Sequence, residues 1–284
     1  MKPLAQQTIL ITGSTDGLGK QTALALAREG AAILLHGRNQ RRLEKTQREI
    51  QDVTGNSHLK TYLADLADLS QVRRLAEQVQ TSHPQLDMLI NNAGIGSGRL
   101  LGARRELSRD GYELRFAVNY LAPFLLTHLL LPSLRINPPS RIIHVGSVGQ
   151  LPLDFDNIMF ERRYNGYDAY RRSKLALVMF TIDLAERLKG EHITVNCVHP
   201  ASLMNTKMVR ETIPFAQTTV EEGLRSVIYL ATSPTLDNVT GQYFDQLQQA
   251  HAHPQAYDTI ARSRLRQISE QLTGLSDKQA SHAD

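Results

Sequence analysis

Apolar positions along the chain follow two alternating patterns. Short runs rich in β-branched residues recur at Thr8-Ile9-Leu10-Ile11, Ala31-Ala32-Ile33-Leu34-Leu35, Leu59-Lys60-Thr61-Tyr62-Leu63, Leu86-Asp87-Met88-Leu89-Ile90, Arg141-Ile142-Ile143-His144-Val145 and Ile193-Thr194-Val195-Asn196-Cys197-Val198. Such runs read as strands, most of them buried on both faces. Between them, helix-forming stretches cover residues 21–27, 41–50, 71–80, 110–134 and 168–188, and residues 219–231 continue the pattern. Residues 241–244 read as a closing strand and 256–273 as an amphipathic C-terminal helix. Strand and helix in this rhythm predict an α/β fold, a doubly wound parallel sheet of about seven strands with helices on both faces. No repeat or linker divides the 284 residues, so residues 1–284 are expected to form a single domain.

Two segments break the rhythm, residues 151–167 and 201–217. Both follow strand ends, where ligands of α/β sheets bind, and long loops there serve as lids or binding loops. Leu151, Leu153, Phe155, Ile158, Met159, Phe160, Met204, Met208, Ile213 and Phe215 give them an apolar content that suits a bulky pocket, although some must belong to the core. Residues from Ser276 onward are expected to fray.

Composition narrows the function classes. The net charge of +4, from 32 basic and 28 acidic residues, is spread singly or in pairs, which argues against a nucleic-acid partner and suits a phosphorylated cofactor. The single cysteine, Cys197, excludes an intramolecular disulfide and reads as a buried structural thiol. The ten histidines have no metal-ligand spacing. The first strand begins almost at the first residue, so neither a signal peptide nor an anchor is expected. The apolar stretch Leu121 to Leu134 is broken by Pro123, Thr127, His128 and Pro132 and reads as a buried helix. A cytoplasmic protein is expected.

The first strand runs into Gly13-Ser14-Thr15-Asp16-Gly17-Leu18-Gly19 and then a helix. Glycines let backbone approach a phosphate closely, and the free N–H groups of the helix start point at it. The spacing differs from G-x-G-x-x-G, and a tight βα connection would need similar residues. At the end of the second strand an acidic residue would bind the ribose hydroxyls of NAD, whereas an arginine accommodates the phosphate of NADP. Here Gly37 is followed by Arg38, with Arg41 and Arg42 beginning a helix. Arg38 therefore predicts NADP(H), with NAD(H) disfavoured. Small residues end the fourth strand at Asn92-Ala93-Gly94. Tyr170 and Lys174, four apart, share a helix face. A nearby ammonium favours a phenolate, which adapts a tyrosine of ordinary pKa near ~10 to proton transfer. Tyr167 lacks this option, since Arg171 stands four later and does not titrate. Singly, Ser147 reads as a turn cap and Asn119 as a buried polar residue.

The glycine turn, Asn91-Asn92-Ala93-Gly94, Asn119, Ser147, Tyr170 and Lys174 occur in an order that closely resembles the short-chain dehydrogenase/reductase family, and the resemblance runs through Phe244. It implies a single Rossmann domain in which Tyr170 is the general acid/base, Ser147 orients the substrate oxygen, and Asn119 anchors a proton-relay water. Lys174 would bind the nicotinamide ribose and lower the Tyr170 pKa. The resemblance assigns Gly13, Ser14, Thr15, Asp16, Gly17, Leu18 and Gly19 to the cofactor. Arg38, Asp65, Leu66, Asn92, Ala93, Gly94, Pro200 and Leu203 join them, with Asp65 and Leu66 at the adenine. The insertion from Asp154 to Tyr170 looks like the retinol-dehydrogenase-like and WW-domain-oxidoreductase-like branch. Three departures stand out: Asp16 where a basic residue is common, Ala201 after His199-Pro200, and Asn205-Thr206 in place of a clear carboxamide-contacting threonine. The expectation is an NADP(H)-dependent oxidoreductase interconverting a carbonyl and an alcohol on a small hydrophobic substrate. The alternative is a catalytically silent NADP(H)-binding sensor. A homodimer or homotetramer is expected through the helices starting near Asp110 and Asp168, by resemblance.

Overall fold

The computed structural model describes residues 1–98, 104–206, 209 and 218–275. Its sheet has the order β3-β2-β1-β4-β5-β6-β7-β8. The strands are β1 (Thr8–Ile11), β2 (Ala32–Gly37), β3 (Leu59–Leu63), β4 (Met88–Asn91), β5 (Ser140–Val145), β6 (Ile193–His199), β7 (Tyr243–Asp245) and β8 (Gln248–Ala250). The first seven are parallel, as the alternation predicts. β8 is antiparallel to β7 and adds an eighth strand. Gln248-Gln249-Ala250 is short and polar, so its sequence carries no strand period. The chain reverses direction along the sheet between β1 and β4, and the exits of these two strands form a crevice of the kind that receives ligands.

Alternate strand residues supply two cores. Leu10, Leu34, Leu89, Ile142 and Val195 face α3 (Leu69–Ser82), α4 (Leu114–Arg135) and α5 (Gly166–Arg187). Ile9, Ile33, Met88, Ile143 and Val198 face α1 (Gly17–Arg28), α2 (Gln40–Thr54) and α6 (Val220–Thr232). Cys197 is buried in the first core.

Caps set the helix ends and explain where the periodicity misjudged them. Asp68 accepts from the amides of Ser70 and Gln71, so α3 starts at Leu69 rather than residue 71. Asn165 does the same for Tyr167 and Asp168, moving the start of α5 to Gly166. α4 starts at Leu114 rather than residue 110, because Gly111 turns the chain at φ +85° and the Asp110 carboxylate accepts from Leu69 N–H. Extended to Arg135, α4 is long and apolar enough by composition to cross a membrane, and 83% of its most apolar window is buried inside this fold.

The C-terminal helix α7 (Thr259–Thr273) lies across α4 and α5. Tyr120 Oη and Ser269 Oγ share a buried hydrogen bond of 2.6 Å, and Tyr112 Oη donates to Leu272 O at 2.8 Å. Arg266 meets Asp183 at 3.4 Å and Arg262 meets Glu186 at 2.7 Å. This chain's own C-terminus thus covers a face of both helices through which oligomerisation is expected.

Candidate active site

The glycine turn is built by mutual packing with the β4 exit. A Cβ on Gly13 would stand 2.8 Å from Ala93 Cα, and one on Gly19 would run into Asn92 Nδ2 and Gly13 O. Gly17 differs: it adopts φ +49°, and its open side meets only the Thr206 side chain at 3.4 Å. The Asn92 side chain donates to Thr12 O and Gly13 O, while Thr12 Oγ1 accepts from the amides of Asn92 and Ala93. Asn92 therefore braces the turn with its side chain, and the ribose contact expected of this stretch is left to backbone and to the partly exposed Ala93 and Gly94.

Of the turn residues expected at the cofactor, Gly13, Thr15, Asp16 and Gly17 reach the surface, whereas Ser14, Leu18 and Gly19 are buried. Ser14 Oγ accepts from His36 N–H at 2.9 Å and donates to His36 O at 3.3 Å, so its hydroxyl is spent inside the protein. Asp16 caps α1 by accepting from Gly17 N–H and lies 3.7 Å from Arg42. Arg38 is exposed at the β2 exit. Asp65 Oδ1 accepts from Ala67 N–H, and Leu66 is part of the core. Pro200 is buried, its carbonyl accepting from Ser226 Oγ, and Leu203 is partly exposed at φ +48°.

The four candidate catalytic residues converge at the exits of β4 and β5. Ser147 lies two residues beyond β5, and its carbonyl accepts from Tyr243 Oη and Gln150 Nε2, each at 3.1 Å. The Ser147 and Tyr170 side chains approach each other, which favours the phenolate, yet burial outweighs it and holds the Tyr170 phenol above its ordinary pKa. Lys174 is 4% exposed, donates to Val145 O at 2.9 Å, and sits 5.9 Å from the Tyr170 ring centroid. Burial brings its ammonium down to about 8. Burial thus acts on both groups, and the lysine is aimed at a carbonyl.

Asn119 occupies a wide π-helical turn of α4, Ala117–Leu121, a distortion common at functional sites. Its Oδ1 accepts from Ile95 N–H at 2.8 Å, and its Nδ2 donates to Ile95 O and Ser173 Oγ. Ser173 in turn donates to Tyr170 O. The amide of Asn119 is thus a brace between the β4 exit and α5, with both protons engaged inside the protein.

Three groups near this centre escaped sequence reasoning. Arg115, 2% exposed, donates to Gly96 O, Ser97 O and Tyr164 Oη, and pairs with buried Glu113 at 3.4 Å. Tyr164 Oη also donates to Glu113 at 3.0 Å. Gln150 and Gln255 tie the loop after Ser147 to the segment after β8: His253 N–H donates to Gln150 Oε1, and Gln255 bonds both backbone groups of Leu153. His36 anchors the glycine turn from below. Nothing in spacing marks these residues; apart from the neighbouring Arg115 and Glu113, their partners lie many residues away in the chain. Among the apolar residues expected to line a pocket, Leu153, Phe155, Ile158 and Met159 pack against the core, and Met208, Ile213 and Phe215 lie outside the described residues.

Comparison with known proteins places the chain in a family. The family profile described as short chain dehydrogenase matches residues 7–217. Human retinol dehydrogenase 13 is 37% identical over 287 residues, covering 95% of this chain and 85% of the relative. The crystal structure of an uncharacterised protein from Mycobacterium Paratuberculosis superposes with a TM-score of 0.79 at 31% identity, covering 96% of each chain. A short chain dehydrogenase from Escherichia coli CFT073 complexed with NADPH gives 0.70 at 26% identity, covering 86% of this chain and 97% of that one.

Proposed function

The chain belongs to the short chain dehydrogenase family of oxidoreductases, and from that premise we propose that it interconverts a carbonyl and an alcohol on a small hydrophobic substrate with NADP(H). The observation that carries this reading is the joint placement of Ser147, Tyr170 and Lys174 at the β5 exit. Tyr170 exchanges the proton with the substrate oxygen, and Ser147, beside it, orients that oxygen. Lys174, held on Val145 O, supplies positive charge beside the phenol and a donor for the nicotinamide ribose. When bound, the dinucleotide supplies or accepts the hydride.

The residues present fit a phosphorylated dinucleotide. Gly17, in a left-handed conformation with an open side at the start of α1, gives a phosphate room to approach backbone. At the β2 exit, Arg38 is exposed, and Gly37 has no space for a carboxylate, because a Cβ there would lie 2.7 Å from Thr15 Cγ2. An arginine without a neighbouring acid suits a 2′-phosphate and not a bare ribose diol.

Fluorescence titration with NADPH and NADH, followed by turnover on a panel of hydrophobic ketones and aldehydes, tests the proposal. Tighter NADPH binding and reduction of a panel member are expected, with turnover abolished in Tyr170→Phe while NADPH binding persists. Near-normal turnover in that variant overturns the assignment.

A further inference from the structure

His36, the penultimate residue of β2, is 2% exposed and cannot touch a ligand itself. Its ring is nevertheless fixed at both nitrogens. Nδ1 lies 3.1 Å from the Gly13 amide nitrogen, and Nε2 lies 3.1 Å from Ala64 O. An amide can only donate and a carbonyl can only accept, so the ring is neutral with its proton on Nε2. The β2 backbone completes the junction, since Ser14 N–H donates to His36 O and Ala64 N–H to Gly37 O. One side chain therefore bridges the glycine turn after β1 and the β3 exit that leads into Asp65 and Leu66. These two segments flank β2 on either side.

We propose that His36 is a positioning residue for the dinucleotide, setting the separation between the glycine turn and the Ala64–Leu66 segment so that the adenosine half fits between them. This rests on the NADP(H) reading above. The bridge needs an acceptor at one end of a rigid ring and a donor at the other, and neutral histidine is the side chain that offers both. Leucine matches much of the bulk without either bond. Glutamine carries a donor and an acceptor, but on one carbon, and can serve a single partner well.

The test is titration of wild type, His36→Leu and His36→Gln with NADPH and with adenosine 2′,5′-bisphosphate, with near-ultraviolet circular dichroism establishing that each variant is folded. His36→Leu is expected to weaken both ligands by about tenfold, the equivalent of one net hydrogen bond, and His36→Gln to fall between. Since both ligands carry the adenosine half, their losses should match. Affinities within twofold of wild type in a folded variant overturn the proposal. If His36→Leu does not fold, His36→Gln decides on the same criterion. Failure of wild type to bind either ligand would instead refute the NADP(H) reading.

Discussion

Thr15 and Gly37 lie so close that a Cβ on the glycine would stand 2.7 Å from the threonine Cγ2. This contact joins the glycine turn to the β2 exit, where the proposed reading puts the difference between the two nicotinamide cofactors. Gly37→Asp, the simplest change toward NAD, should therefore force Thr15 aside and cost about 1–3 kcal/mol of overpacking. Alone it should weaken NADPH without a matching gain for NADH. Combined with Thr15→Ala, which removes the obstructing methyl, it should raise NADH affinity above that of either single variant. Arg38→Ala should lower NADPH affinity by about 1.5–3 kcal/mol and leave NADH unchanged. Titration of the four variants with both cofactors checks these outcomes, and equal losses for NADPH and NADH in Arg38→Ala would remove Arg38 from phosphate recognition.

Lys174 carries a stability cost with a defined pH window. Its buried ammonium titrates at about 8, below the ordinary 10.5. Below pH 8 the lysine is charged in both folded and unfolded states, and the cost of burying the charge is fully present. Between 8 and 10.5 the unfolded chain binds more protons, so this contribution makes stability rise with pH. Lys174→Met should abolish turnover yet raise stability at neutral pH by on the order of 2–3 kcal/mol, less what the unpartnered Val145 carbonyl costs. That advantage should shrink above pH 8 and vanish near 10.5. Urea unfolding of both proteins across pH 7–10.5 measures it; a constant difference would refute the buried-charge account.

The sheet and its parallel strands were legible because they rest on local sequence, β-branched runs and a glycine turn; the shared helix face of Tyr170 and Lys174 follows from a four-residue spacing, whereas Ser147 entered only through the family resemblance. What stayed hidden depends on partners distant in the chain. Asn119 braces Ile95 and Ser173, 24 and 54 residues away, and His36 reaches Gly13 and Ala64 across 23 and 28. Asn92 matched a family motif, but only the fold reveals that its side chain turns toward Thr12 and Gly13. β8 stayed hidden for another reason: three residues are too few to show a period.

Arg115 and Glu113 form a buried pair whose members are 2% and 1% exposed. Removing one partner leaves the other charged and desolvated, which typically costs about 3–5 kcal/mol. Arg115→Met should therefore lower stability by roughly that amount. Adding Glu113→Gln should recover part of it, because the stranded carboxylate is gone. Tyr164→Phe removes one hydroxyl from the same cluster and should cost about 1–2 kcal/mol. Denaturation midpoints decide the matter, and strictly additive losses in the double variant would show that the two charges do not interact.

The cover that α7 provides has a consequence for assembly. Tyr120, Phe124 and Phe180 form a tilted aromatic cluster between α4 and α5, and the buried Tyr120–Ser269 hydrogen bond seats α7 against it. With this face already occupied in cis, the full chain should sediment without self-association through α4 and α5. Ser269→Arg introduces a long charged side chain at a fully buried position and should lift α7 off, exposing apolar surface that favours pairing of two copies. Sedimentation velocity combined with crosslinking should then give no α4–α5 pairing for wild type and a concentration-dependent species paired through these helices for the variant. A wild-type dimer crosslinked between its α4 and α5 helices would contradict this.

Acid should act on the fold through buried histidines, His36 and His144 among them. Burial brings His36 down to about 4 and His144 to about 3. His36 is neutral between its two partners, and His144 stacks on Phe180 with Nδ1 2.8 Å from Thr181 Oγ1. Below the ordinary pKa of 6.5 the unfolded chain takes up protons that the folded chain refuses, so stability falls as pH drops from 6.5 toward 3. A proton on His36 Nδ1 would set two donors against each other at Gly13, and loss of the glycine turn should accompany unfolding. His144→Leu should make the curve shallower from about 6.5 down to 3, and His36→Leu should flatten it between about 6.5 and 4. Urea unfolding at pH 4, 5, 6 and 7 for the three proteins tests this. Identical pH slopes in wild type and both variants would place the acid sensitivity in other groups.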